Sequence, residues 1–288
     1  MTAIETISNR SNDTLRDVLT RLETEGAALG HFNVADHVLL KAVIAAASET
    51  KRPVFIGASE GEREFFGARQ LAALVKAMEA ANSGFDSVGI DFSALPFDQN
   101  VARTKEAVQA IKSINPEILA EGEIGDIGTG SEIHETAQAD FSKLTTADEA
   151  REFVEATGID ILAPSVGNRH GMLKSMVQGK AKKHLDVDRI AQIKQAAGTY
   201  LTLHGGSGTD DEHFRKAISS GINIIRINTE LRVAWRQSLG ESLARDINEV
   251  VPYRILRPVV ESVKQVVSAR LRLFHGQSVR PEAIGTVA

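Results

Sequence analysis

The chain has 288 residues, with 33 Lys and Arg against 38 Asp and Glu, a net charge of -5 and no cysteine. Hydrophobic residues at 42% and charged residues at 25% are globular proportions, which excludes a disordered or fibrous chain. Disulfides, thiolate nucleophiles and cysteine-held metals are excluded outright. The absence of a basic block argues against nucleic acid as a partner, and no apolar run approaches the roughly 18 residues a membrane helix needs. The polar N-terminus, MTAIETISNRSNDTLRDVLT, lacks the apolar centre of a secretory signal, so a cytoplasmic location is expected.

Short β-rich apolar runs alternate with helical patterns along the chain. His31–Val34 precedes a helical pattern over Val38–Glu49, Pro53–Ala58 one over Arg69–Ala81, and Asp86–Asp91 one over Gln99–Ile114. Ile118–Ile124 leads to Thr146–Ala156, and Ile159–Pro164 follows. Thr199–His204 leads to Glu212–Ser219, and Ile222–Ile227 to a helical stretch over Glu230–Glu249 that, with Trp235, is expected to pack against the outside of the sheet. Continuous apolar strands separated by helices imply a parallel sheet covered on both faces. No linker divides the chain, so one domain is expected over 1–288, with a C-terminal helical extension over 229–275. Either an open doubly wound sheet or a (β/α)8 barrel fits this alternation. Polar residues close nearly every strand, among them Asn33, Asp91, Glu123, His204 and Asn228. A site built from many strand ends favours the (β/α)8 TIM barrel. Only seven strands are legible, because the stretch from Ala58 to Asp86 has room for a helix and little else.

The segment Leu203-His204-Gly205-Gly206-Ser207-Gly208-Thr209 carries the most chemistry. Glycines let backbone N–H groups face an anion, and the helix that opens after them adds positive potential. His170, in Val166-Gly167-Asn168-Arg169-His170-Gly171, comes from the preceding strand end, so the two imidazoles can converge on a zinc ion. Glu121 and Glu123 alternate to one side of a strand that is otherwise apolar. Two acids aimed into a barrel need a cation, either a metal or a salt-bridging Lys or Arg. Asp91 is the same kind of anomaly. The charged run Lys180–Lys183 and the tail holding His275 are expected to be solvated.

These residues resemble a family, the class II zinc-dependent fructose-bisphosphate aldolases and their tagatose-bisphosphate relatives. The likeness rests on HFNVAD, GFDSVGIDFSALPFDQNVARTKE, AEGEIGDIGTGSE, VGNRHGMLK, TLHGGSG and RINTELR in order. It implies reversible cleavage of fructose 1,6-bisphosphate to dihydroxyacetone phosphate and glyceraldehyde 3-phosphate, as in glycolysis and gluconeogenesis. It also implies a homo-oligomer and a Zn2+ cofactor, with room for a second divalent or a monovalent cation. His170 and His204 match two of the family's three zinc histidines, while Glu123 and Asp91 match acids around the metal. Gly171, Gly205, Gly206 and Ser207 match positions that bind the dihydroxyacetone phosphate end, and Glu132 matches a proton-moving glutamate. Arg226, Ile227, Asn228 and Thr229 match the phosphate-contacting loop, which in the family reads Asn-Ile-Asp-Thr. Zinc would act as a Lewis acid on the ketone, in place of a Schiff-base lysine.

The resemblance has a gap. The family places a strand ending in Asp-His, which supplies a proton-transferring acid and the remaining zinc ligand, before Gly84-Phe85-Asp86. Here Leu74-Val75-Lys76 runs directly into Ala77-Met78-Glu79, and the pair is absent. Three readings follow: residues are missing from this stretch, the deletion is real and the protein binds sugar phosphate without turnover, or Glu123 or Asp91 completes a His2Glu zinc set. A metal-free phosphate-binding isomerase is a further alternative.

Overall fold

The computed structural model describes residues 2–8, 13–67, 69–70, 86–128, 130–135 and 144–276. Seven parallel strands curl around a common interior: β2 (Leu29–Asn33), β3 (Val54–Ala58), β4 (Ser87–Ile90), β5 (Leu119–Ile124), β6 (Ile161–Pro164), β7 (Tyr200–Leu203) and β8 (Ile222–Ile227). All seven runs read from the sequence are therefore strands. Helices α1 (Leu15–Thr24) and α2 (His37–Thr50) flank β2, and α3 (Glu60–Phe66) follows β3. Then come α4 (Phe97–Ile114), α5 (Ala147–Thr157), α6 (Val187–Ala197), α7 (Asp211–Ser219), α8 (Thr229–Arg245) and α9 (Pro252–Phe274). Most of the expected helix over Arg69–Ala81, and the point where the Asp-His pair is missing, lie outside the described residues.

The (β/α)8 expectation needs one correction. Among the described residues the ring holds no eighth parallel strand; the short parallel pair Ile133–His134 with Met172–Leu173 lies in a separate two-stranded sheet. Between β3 and β4 runs β1 (Thr2–Ser8), antiparallel to both, with Ile4 opposite Ala58 and Ser8 opposite Val54 on one side. On the other, Thr2 faces Ile90 and Glu5 faces Ser87. The ring thus reads β1-β3-β2-β8-β7-β6-β5-β4. An edge strand left unpaired exposes a row of N–H and C=O groups, and β1 supplies partners for both edges. Its segment, rich in β-branched Thr2, Ile4, Thr6 and Ile7, has the composition of a strand.

Period-two alternation sorts the inward side chains into tiers. The lowest holds Leu29, Phe55, Leu119, Ile161 and Ile224, which cluster with Leu15, Val18, Leu19 and Leu22 of α1. Helix α1 opens with a reciprocal Thr14–Asp17 capping box. Two residues further up the strands lie His31, Gly57, Glu121 and Arg226, where the interior becomes polar. The outward residues, such as Phe32, Ile56, Leu162 and Ile225, join the helices in the larger core. Helix α9 packs chiefly on α2 and α8 and closes that side. Trp235 on α8 packs against the same core, as expected of a helix laid on the barrel's outside.

Candidate metal centre and anion cradle

His204 follows β7 directly, and its ring is held from both ends. Nε2 lies 2.8 Å from Oε1 of Glu121, and Nδ1 lies 2.8 Å from Oε2 of Glu123. The two acids come from one face of β5, as alternation requires. Gly122 between them faces outward, where a Cβ would come within 2.8 Å of Phe153. Arg226 on β8 reaches both oxygens of Glu121 at 2.7 Å. The salt-bridge reading of the buried acids therefore holds for Glu121, and Glu123 remains directed at the histidine.

The electrostatics follow from this packing. Burial would raise the Glu121 carboxyl, yet Arg226 and His204 outweigh it and hold the group at about 2. Burial and Arg226 would lower His204, but Glu123 and Glu121 raise it to about 9. A ring whose two nitrogens both face carboxylates is an imidazolium with two donors. His170 has the opposite fate. Burial, reinforced by His204, Lys183 and Arg226, pulls it to about 3, so its imidazole is neutral.

His170 and His204 rings are 5.7 Å apart and meet edge to face. Together with Glu123 they offer three ligand atoms within 4.8 Å of one another. Two imidazoles and one carboxylate form a His2Glu set, a composition that suits zinc. The residues present therefore fit a divalent ion. Asp91 stands beside this trio rather than in it: its Oδ1 accepts from Ser93 N at 2.9 Å and Ser93 Oγ at 2.7 Å. Ser93 Oγ in turn approaches Glu123 at 3.4 Å.

The glycine turn after His204 is shaped by close contact. A Cβ on Gly205, whose φ is +59°, would come within 2.2 Å of the Arg169 carbonyl. The two histidine-bearing turns thus touch backbone to backbone, and Asn168 binds them further through Nδ2 to the His204 carbonyl at 3.1 Å. Gly206, Gly208 and Thr209 donate their amides to Arg226, Glu230 and Gly206 respectively. Among the described residues no hydrogen bond engages the amides of Gly205 and Ser207, and both residues line the cavity described next.

A cavity of about 330 Å³ opens over this arrangement. Of the residues singled out from the sequence, Asp91, Glu123, His170 and His204 line it, as do Gly171, Gly205 and Ser207. Arg226, Asn228 and Thr229 complete the far wall, and exposed Glu132 overhangs it. Gly206 and Ile227 stand behind the wall. Ile227 is buried in the core, and a Cβ on Gly206 would come within 2.9 Å of Arg226 O.

A model of the family described as "Fructose-bisphosphate aldolase class-II" matches residues 13–83 and 76–278. The chain belongs to the class II fructose-bisphosphate aldolase family. It is 32% identical to a fructose-bisphosphate aldolase of Thermus caldophilus, covering 90% of this chain and 96% of that one. It is 31% identical, with the same coverage, to a probable fructose-bisphosphate aldolase of Bacillus subtilis. The solved YdjI aldolase of Escherichia coli K12 superposes with a TM-score of 0.73 at 27% identity, over 90% of this chain and 96% of that one. The family match breaks into two pieces that meet at 76–83, where the Asp-His pair is missing. The Thermus alignment runs over 301 residues, longer than the 288 of this chain, so the relative carries residues with no counterpart here.

The structure adds residues to the candidate site of this class II aldolase family member that the sequence reading passed over. Buried Glu62 accepts from Asn33 Nδ2 at 2.7 Å and from Arg232 Nη2 at 2.7 Å. Arg232 also reaches the Ser131 carbonyl at 3.0 Å, and Asn228 reaches Ser131 Oγ at 3.2 Å. This network fastens the loop around Glu132 to the cavity rim. The capping spacing Ser59–Glu62 was a visible signal for Glu62, and Arg232 closes the RINTELR motif on which the resemblance rests. Two expectations fail. Lys183 is buried rather than solvated, and His275 is half-buried, its Nδ1 2.9 Å from the Leu271 carbonyl. Among the described residues no helix is long and apolar enough to cross a membrane.

Proposed function

We propose that this protein performs zinc-dependent aldol cleavage of a phosphorylated ketose, with fructose 1,6-bisphosphate as the substrate. The observation that carries the reading is the trio His170, His204 and Glu123 beside the Gly205–Ser207 amides. A zinc ion held by that trio would supply Lewis-acid polarisation of the ketone. The chain's own residues do the rest. Neutral His170 offers a lone pair without losing a proton, and His204 accepts a ligand role by releasing one. Gly205 and Ser207 orient a phosphoryl group, with Gly171 and Thr229 on the adjoining wall. Glu132, exposed over the cavity, moves the proton at the substrate carbon. The enzyme is read as a cytoplasmic homo-oligomer of single-domain subunits, with Zn2+ as the cofactor.

A second reading has its own support. The acid of the Asp-His pair has no counterpart in this chain, and Glu121 is committed to Arg226. A protein that binds the sugar phosphate without cleaving it fits those two facts. Zinc-loaded protein assayed for release of dihydroxyacetone phosphate from fructose 1,6-bisphosphate separates the two. Measurable turnover abolished by His170→Ala supports the aldolase. Thermal stabilisation by dihydroxyacetone phosphate with no turnover would replace it with the binder.

A further inference from the structure

Lys183 sits just outside the candidate metal centre, and none of the roles above uses it. Its backbone joins the glycine turn: its N–H donates to the Gly208 carbonyl at 2.8 Å, and its own carbonyl accepts from Asp210 N at 3.1 Å. Its ammonium then turns inward to three backbone carbonyls, Arg169 O and Gly171 O at 2.6 Å each and Gly205 O at 3.0 Å. The residue is only 9% exposed, and among the described residues no carboxylate forms an ion pair with it. Burial lowers the group to about 8, against the attraction of Glu230.

Burying an ammonium without an ion-pair partner is costly unless its hydrogen bonds are met. Here each of its three donors finds one carbonyl, and a neutral amine would leave one carbonyl facing a lone pair. The arrangement is that of a small cation dehydrated by carbonyl dipoles. Those carbonyls are not arbitrary: Arg169 and Gly171 flank His170 in the chain, and Gly205 follows His204.

We propose that Lys183 is a positioning residue, its ammonium acting as a fixed internal cation that locks the His170 turn to the His204 turn. It therefore sets the spacing of the two imidazoles and of the Gly205 amide. Its effect on the metal rests on the reading of His170 and His204 as ligands; its effect on the two turns does not.

Lys183→Met removes the charge and keeps most of the stem, and ammonium chloride offers the missing head group back. Zinc affinity in Lys183→Met should fall about tenfold or more, the range for groups that orient metal ligands. Ammonium chloride, but not tetramethylammonium chloride at equal ionic strength, should restore both that affinity and the lowered melting temperature. The wild type should respond to neither salt. Lys183→Arg should resemble Lys183→Met, because a planar guanidinium cannot direct single donors to three converging carbonyls. Unchanged zinc affinity in Lys183→Met, or equal effects of the two salts, overturns the proposal. Because the chain has no cysteine, Lys183→Cys provides a second route if the methionine variant does not fold. Aminoethylated in the unfolded state and refolded, it should recover the wild-type melting temperature, while the ethylated form should not; equal recovery also overturns the proposal. If wild-type protein binds no zinc, the functional reading fails, while the melting temperatures still decide the role of Lys183.

Discussion

Glu121 and Arg226 are two-point partners inside the barrel, with the Arg226 Nη2 2.7 Å from each carboxylate oxygen, and the same carboxylate touches His204. One acid thus balances a guanidinium and an imidazolium. The family likeness places Asn where this chain has Arg226, so the extra positive charge here is matched to an acid two strand positions from the metal trio's Glu123. Glu121→Ala should destabilise the fold by about 3–5 kcal/mol, since it strands a buried guanidinium. Urea unfolding checks this. The double change Glu121→Ala/Arg226→Ala should recover part of the loss, whereas a simple sum of the single effects would show that the two residues are not coupled.

Zinc uptake should be proton-linked. His204, raised to about 9 in the metal-free protein, must give up a proton to become a ligand, and His170, lowered to about 3, need not. At pH 7 metal binding should therefore release about one proton, seen as a buffer-dependent heat in calorimetry. Affinity should rise with pH and level off near 9. Stability of the metal-free protein follows from the same directions. His204 is raised above the unfolded value of roughly 6.5, so its contribution is present below that value and disappears as pH rises through about 9. His170 is lowered, so its contribution is present above roughly 6.5 and disappears as pH falls toward about 3. Thermal melts in chelator across this range test both arms, and a buffer-independent heat of zinc binding would contradict the first.

The seven parallel strands were legible because each is a continuous apolar run bounded by turn residues, the pattern a doubly covered sheet imposes. His170, His204, Glu121 and Glu123 were legible as anomalies, charged or imidazole groups at strand positions that burial would otherwise keep apolar. Lys183 was not. It stands in Lys180–Lys183, where its neighbours are solvated, and only the convergence of three distant carbonyls distinguishes it. Arg226 read only as a match to the phosphate-contacting loop, because its partner Glu121 lies 105 positions away. The strand at Thr2–Ser8 was missed because it pairs across the chain with β3 and β4, a long-range relation that local periodicity cannot carry.

That strand makes a direct prediction. Deleting residues 2–8 should uncover the facing edges of β3 and β4 and promote association through them. A loss of about 2 kcal/mol or more would lower Tm by at least ~5 °C in a chain of this size. Hydrogen exchange should quicken most at the β3 and β4 amides that face β1 and least in β6 and β7. Uniform acceleration through all strands would mean that the segment supports the fold globally, and no change would remove it from the ring.

Gly205 is the tightest point between the two histidine turns, and it makes the sharpest local test. Its φ of +59° lies in the left-handed region, and a Cβ there would meet Arg169 O at 2.2 Å and His170 N at 2.8 Å. Both obstacles are backbone, so neither can swing aside as a side chain would. Gly205→Ala should cost more than about 1 kcal/mol from conformation alone, with the overlap adding to it. Because relief can come only by parting the turns, the imidazoles should separate as well. Zinc affinity and stability should therefore fall together, as read by metal titration and urea unfolding. Gly198→Ala is the control, with a φ of +62° and open space around its Cβ. It should lose stability while leaving zinc affinity intact. Equal loss of affinity in both variants would mean that the metal site responds to global stability and not to the contact between Gly205 and Arg169.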